Sequence, residues 1–132
     1  MSPELLDPDQ FESSDGRPTR ESDCYALGMV IYEVLSGKVP FASLREFIVM
    51  RKVLEGERPS MPEGSEGTWF TDELWTTLNL CWETRPEIRP SIEAVLERLS
   101  QVSGTWVPPS PRAEEDTEED DSDWDLTTEM NP

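Results

Sequence analysis

The stretch that decides the fold runs from Ser22 to Gly37 and reads SDCYALGMVIYEVLSG. Ser22 is a favoured helix N-cap residue, and Gly37 suits the left-handed position that commonly follows a helix. Between them, apolar residues occupy nearly every face of the predicted helix, which therefore has to be buried on all sides. Such burial is demanding for a small domain and points to a larger parent structure.

Four further segments have the pattern of shorter helices, separated by loops rich in proline and glycine. Ser2 precedes a proline at the first helical position, and Ser43 and Glu46 fit a capping box. Thr71 and Ser91 are the predicted N-caps of the last two helices. No convincing alternation of apolar and polar residues predicts a strand, so the predicted fold class is mainly α.

The net charge of −18 is concentrated near the C-terminus. Ten of the 29 acidic residues and one of the 11 basic residues follow Val107, which leaves 19 acids and 10 bases for the body. Blocks of like charge repel one another and usually stay disordered. We therefore predict a folded domain over residues 1–107 and a disordered acidic tail, dispensable for folding, over residues 108–132.

The composition argues against several classes of protein. No basic patch is present to neutralise phosphates, so nucleic-acid binding is not expected. The sequence has no run of about 18 apolar residues and no charged-then-apolar leader, which argues against a membrane span or a signal peptide. Cys24 and Cys81 lack metal-ligand spacing, and histidine is absent. Both cysteines are expected to be buried, reduced thiols in an intracellular, cytoplasmic protein.

Four motifs resemble, in order and spacing, landmarks of the C-terminal lobe (C-lobe) of a protein kinase domain. They are MSPELL at residues 1–6, SDCYALG at residues 22–28, GKVPF at residues 37–41 and CWETRPEIRPS at residues 81–91. The first is similar to the A-P-E motif, with serine in place of alanine. The second is similar to the start of the central helix, and the third to the loop after that helix. The fourth is similar to a signature of tyrosine kinases and tyrosine-kinase-like serine/threonine kinases. The resemblance covers residues 1 to about 102 and implies a partial C-lobe, with a central buried helix and three further helices.

The resemblance assigns structural roles to Glu4, Asp23, Gly28, Trp82 and Arg89. Glu4 and Arg89 stand where the family forms an ion pair, so a planar two-point salt bridge is expected, which lysine cannot reproduce. Asp23 stands where the family hydrogen-bonds the catalytic-loop backbone, and that partner is missing here. The alternative is that these charged residues are ordinary solvated groups.

The resemblance also implies which chemistry these 132 residues lack. In the family, ATP and Mg²⁺ are positioned by a glycine-rich loop, a strand lysine, a catalytic-loop aspartate and the D-F-G aspartate, all upstream of the A-P-E motif. None of these is found in the sequence. We therefore predict no catalytic, cofactor-binding or metal-binding residue and no kinase activity for this chain alone, although intact family members phosphorylate proteins using ATP and Mg²⁺.

Three functional interpretations stay open: an inactive piece of a kinase domain, a stand-alone kinase-like scaffold or decoy, and an unrelated helical adaptor. Codons for a catalytic loop in frame upstream of Met1 favour the first over the second. A long distance between Glu4 and Arg89 favours the third. Under either of the first two, a protein partner or the missing kinase segment is expected to cover the central helix. The motifs lean to the tyrosine-kinase-like serine/threonine group, on resemblance alone.

The tail has two features of its own. Thr117 and Ser122 precede acidic residues and are candidate phosphorylation sites for an acid-directed kinase. Trp124, Leu126 and Met130 are interleaved with acids, a composition typical of segments that dock on a basic or apolar partner. The alternative is a solvating tail without a partner.

Overall fold

The computed structural model describes residues 1–12 and 15–105, and this part of the chain contains helices and no strand. The helices are α1 (Pro3–Leu6), α2 (Arg20–Ser36), α3 (Glu46–Leu54), α4 (Asp72–Cys81) and α5 (Ile92–Thr105). Single 3₁₀ turns lie at Gly64–Gly67 and Pro86–Ile88. The mainly α prediction is confirmed. Residues 108–132, with Thr117 and Ser122, lie outside the described residues, and the boundary near residue 107 stays a prediction.

Helix α2 occupies the centre of the arrangement. It packs against α4 and against both 3₁₀ turns, while α5 packs on α4 and α1 packs on α3. The core therefore lies mainly between α2 and α4. Its buried apolar side chains are Cys24, Tyr25, Val53, Phe70, Leu74, Leu78, Cys81, Trp82 and Val95.

The predicted start of α2 is wrong by three residues. The N-cap is Thr19, whose hydroxyl accepts a hydrogen bond from the backbone N–H of Ser22 at 3.1 Å. The Ser22 hydroxyl in turn accepts one from the backbone N–H of Thr19 at 2.7 Å. Ser22 is thus the third helical residue of a capping box, which satisfies two free donors at once. The predicted end is confirmed, since Gly37 follows the helix with a φ of +72°.

Helix α3 does not begin with the predicted capping box. Its N-cap is Arg45, which makes no side-chain cap hydrogen bond, and the helix starts at Glu46. Ser43 lies instead in a turn in which the backbone N–H of Leu44 donates to the Phe41 carbonyl at 2.9 Å. Ser43 therefore lies two residues before the N-cap, in the turn that precedes α3.

The predicted N-caps of the last two long helices are confirmed. The Thr71 hydroxyl accepts a hydrogen bond from the backbone N–H of Leu74, and the Ser91 hydroxyl accepts one from that of Ala94, both at 3.2 Å. In α4, the buried residues Leu74, Leu78 and Cys81 recur at helical spacing and form the face that packs on α2.

The central helix is not buried on all sides in this chain. Val30 is 55% exposed and Val34 is 73% exposed, and Ala26 is exposed one turn before them. We call these three residues the α2 stripe, because a spacing of four places them on one face of the helix. Tyr25, in the first half of the same helix, is by contrast fully buried. None of the helices in the described part of the chain is long and apolar enough to span a membrane.

Candidate functional site

The predicted ion pair between Glu4 and Arg89 is present in the structure. One guanidinium nitrogen of Arg89 donates to Glu4 Oε1 at 2.7 Å and the other donates to Glu4 Oε2 at 2.9 Å. Both residues are buried, at 3% and 6% exposure. The pair has the two-point geometry that a planar guanidinium offers to a carboxylate. It joins α1 to the end of the Pro86–Ile88 turn, across 85 residues of sequence.

Arg89 also bonds to the backbone of two other segments. Its Nε donates to the Glu83 carbonyl at 2.8 Å, and a terminal nitrogen donates to the Glu21 carbonyl at 2.9 Å. Burial, the largest single influence, raises the pKa of the Glu4 carboxyl, but the hydrogen bonds it accepts and the positive charge of Arg89 together outweigh burial, and the pKa is lowered. Glu4 is therefore held as a carboxylate, and the pair ties together α1, α2 and the segment after α4.

Tyr25 lies beside the ion pair and contacts two cations. The guanidinium carbons of Arg89 and Arg58 lie over its ring, 5.1 and 5.3 Å from the ring centroid. Both distances are within the range of cation–π attraction. Burial raises the pKa of the Tyr25 hydroxyl and lowers that of Arg58.

Arg58 is a structural residue that sequence reasoning missed. Its side chain donates to the Trp82 carbonyl at 2.7 Å, to the Val53 carbonyl at 3.1 Å and to the Thr84 hydroxyl at 3.1 Å. It thereby fixes the loop after α3 to the end of α4. An arginine in a loop rich in proline and glycine carries no local sign of this role, because its partners come from distant parts of the chain.

Gly28 and Trp82 are in direct contact between α2 and α4. A Cβ atom added at Gly28 would lie 2.6 Å from Trp82 Nε1 and 3.0 Å from the Cβ of Cys81. The Trp82 ring cannot easily move away, since it packs edge-on against Trp75 at 5.8 Å and against Tyr32 at 6.0 Å. The two helices therefore need a residue without a side chain at position 28.

Asp23, the remaining motif residue, is exposed at the start of α2. Its side chain has no hydrogen bond or ion pair within the described part of the chain. The structure thus brings Glu4, Arg89 and Tyr25 into one cluster and Gly28 and Trp82 into a neighbouring one, while Asp23 belongs to neither.

Both cysteines are free and buried, as the sequence predicted. Burial raises the pKa of Cys24 and raises that of Cys81 to about 12. At neutral pH these thiols are protonated and poorly nucleophilic. Across residues 1–12 and 15–105, no group of three or more His, Cys, Asp or Glu side chains is placed to hold a metal ion. The clusters above are suited to holding segments together rather than to bond-making chemistry.

Comparison with known proteins agrees with this geometry. A family model described as protein tyrosine and serine/threonine kinase matches residues 1–99. The chain belongs to this protein kinase family. Its matched part contains all five motif residues and every described helix except the end of α5.

Relatives of the kinase-domain segment occur in distant organisms. The chain is 36% identical over 104 residues to the protein sevenless of Drosophila melanogaster. This match covers 78% of the chain and 4% of sevenless. It is 35% identical over 112 residues to a light-sensor protein kinase of Ceratodon purpureus, covering 77% of the chain and 8% of that protein. The chain is 27% identical over 103 residues to a probable LIM domain-containing serine/threonine-protein kinase of Dictyostelium discoideum. This match covers 78% of the chain and 14% of that kinase. The chain thus spans a small fraction of the relatives it matches.

Proposed function

We propose that these 132 residues supply the C-lobe scaffold of a protein kinase domain and do not themselves bind ATP or Mg²⁺ or transfer phosphate. Phosphoryl transfer depends almost wholly on positioning the phosphates and the metal. The family's positioning elements precede the A-P-E-like motif at Ser2–Glu4. The clusters around Arg89 and Trp82 have a structural role instead, because they hold helices together around α2.

The observation that carries this proposal is the exposure of the α2 stripe. Helix α2 leaves Val30 and Val34 largely in solvent, while Cys24 and Gly28 on its opposite side are buried. Full burial of a side chain of this size contributes roughly 1.5–3 kcal/mol. Folded proteins have stabilities of only about 5–15 kcal/mol, so two uncovered valines are a substantial loss. We infer that a protein surface covers the α2 stripe, either a further kinase-domain segment or a separate partner.

The second candidate function is a stand-alone scaffold or decoy. Two observations favour it: the exposed α2 stripe, and a core that already packs α2 against α4. Under this alternative, a separate protein rather than a kinase segment covers Val30 and Val34. Co-purification of the chain with a kinase fragment that supplies the upstream elements favours the first function, and stable binding to an unrelated protein favours the second.

The α2 stripe is expected to make the purified chain bind a hydrophobic dye and self-associate, because apolar patches on soluble monomers are usually interfaces. The double variant Val30→Glu/Val34→Glu should lose most of the dye signal and scatter less light. Val39→Glu is the matched control, since Val39 is 57% exposed and lies outside α2. A wild-type monomer with a sharp melt and no dye binding would contradict the proposal.

A further inference from the structure

A second apolar surface lies next to α3. A pocket of about 330 Å³ opens between α1, α2 and α3, and Leu6, Met29 and Phe41 are among the residues that line it. Glu46 is the only lining residue with a charged side chain. Pockets that bind ligands have volumes of about 300–1,000 Å³, so this one is suited to a single large apolar side chain. An occupant with a positive charge close to that side chain would complement Glu46.

Two rows of side chains run along the exposed face of α3. Residues four apart on a helix lie on the same side of it. Glu46 and Met50 form the pocket row, since both line the pocket. Phe47 and Arg51 form the aromatic row, which does not line it. All four residues are exposed, Phe47 to 68%. The rows are adjacent, because consecutive helical residues are about 100° apart.

The two rows complement each other in shape and in charge. The aromatic row carries a large apolar side chain and a positive charge, which are the two features that the pocket favours. Within one chain the rows cannot meet, because they lie side by side on the same helix. In two parallel helices related by a two-fold axis, each edge of one helix faces the opposite edge of the other, as the e and g positions do in a parallel coiled coil. The face is therefore self-complementary, as a two-fold interface has to be.

Both charges are available for a contact between copies. Glu46 forms no ion pair within the described part of the chain. Arg51 Nε lies 3.8 Å from Glu55 Oε1, and both of these side chains are largely exposed. Exposed pairs of this kind contribute little to stability. Arg51 can therefore exchange Glu55 for Glu46 of a second copy at little cost.

We propose that the chain forms a two-fold dimer through α3. In this dimer, Phe47 of each copy enters the pocket of the other, and Arg51 of each copy pairs with Glu46 of the other. A single nine-residue helix offers a small surface, and interfaces below roughly 1,200 Å² are weak. We therefore expect a Kd on the order of 0.1 mM. The dimer does not involve the α2 stripe, so it is independent of the proposed scaffold function.

Sedimentation equilibrium of the full chain, over about 0.01–1 mM, measures this Kd. The Val30→Glu/Val34→Glu variant is the parent for every measurement, because it suppresses association through the α2 stripe. In this parent, Phe47→Ser should raise the Kd about 10-fold or more, as expected for an aromatic anchor in a pocket. Leu96→Ser is the matched control and should leave the Kd unchanged, since Leu96 is an exposed apolar residue of α5.

Exchange of the two charges tests the pairing between copies. Glu46→Arg and Arg51→Glu should each raise the Kd several-fold, because each places like charges opposite one another. The combined variant Glu46→Arg/Arg51→Glu should return the Kd to within about 3-fold of the parent, since the pair is then reversed and the two changes are coupled.

Three results would overturn the proposal. A parent variant that is monomeric over the whole concentration range would assign the pocket to a different protein or to another part of the chain. Equal Kd values for Phe47→Ser and Leu96→Ser would place the contact between copies elsewhere. A combined charge variant as weak as the single ones would exclude the parallel pairing. None of these results bears on ATP binding, so the scaffold function would stand.

Discussion

Replacing Arg89 by alanine is expected to lower the free energy of unfolding by about 3–5 kcal/mol, because the change leaves the Glu4 carboxylate buried without its partner. The loss extends beyond the ion pair. Arg89 also donates to the carbonyls of Glu83 and Glu21, so its removal frees backbone acceptors in two further segments. Urea unfolding followed by circular dichroism measures the effect.

Matched variants separate the ion pair from a general effect of losing an arginine. Arg45→Ala removes an exposed arginine and should change stability by less than about 0.5 kcal/mol. Arg89→Lys should fall between wild type and Arg89→Ala, since lysine keeps the charge but not the two-point geometry. Equal unfolding midpoints for Arg89→Ala and Arg45→Ala would contradict the role given to the pair.

The same pair makes stability depend on pH in a defined direction. The pKa of Glu4 is lowered in the folded protein from its ordinary value of 4.5. A lowered carboxyl pKa contributes stability that is present above the unfolded-state pKa and is lost as the pH falls through the folded-state pKa. The stability difference between wild type and Glu4→Gln should therefore be constant near neutral pH and should shrink below pH 4.5.

Gly28→Ala is expected to destabilise the protein by about 1–3 kcal/mol, the usual cost of overpacking a core. The direction is informative, because alanine in place of glycine inside a helix normally stabilises it by up to about 1 kcal/mol. Here the new Cβ would lie 2.6 Å from Trp82 Nε1 and 3.0 Å from the Cβ of Cys81. Thermal or urea unfolding of the variant measures the outcome.

Gly104→Ala is the matched control for this prediction. Gly104 is also helical, in α5, and a Cβ added there meets nothing within 4 Å. That change should be neutral or slightly stabilising. In a Trp82→Phe background, which removes the indole nitrogen, Gly28→Ala should cost less than in wild type, since contacting residues couple energetically. A Gly28→Ala variant as stable as Gly104→Ala would show that α2 and α4 are not in close contact at this point.

The sequence was sufficient to predict structural features that follow from the type and spacing of residues or from the motifs that resemble a kinase domain. The resemblance of the motifs around Glu4 and Arg89 to kinase motifs implied an ion pair across 85 residues of sequence, and the structure contains it. Capping was harder to predict, because several residues near each helix start can cap it. Thr19 and Ser22 both can, and only their mutual hydrogen bonds show which one begins the helix.

Features that depend on several distant segments could not be predicted from the sequence. Helix α2 is apolar on every face, so its sequence does not indicate which side packs and which side, through Val30 and Val34, meets solvent. Arg58 bonds to groups 24 and 26 residues away, and no local pattern marks it. A pocket lined by Leu6, Met29 and Val53 forms only because α1, α2 and α3 converge.

The central claim is that these 132 residues form a kinase-family scaffold that does not handle ATP. Its most direct test is to titrate Mg-ATP, to concentrations above the typical KM range of about 1 μM–1 mM, while following the melting temperature of the purified chain. A ligand that binds the folded state raises that temperature, as an intact kinase domain in parallel should show. No shift in melting temperature is expected for this chain, and a saturable rise with Mg-ATP would contradict the scaffold assignment.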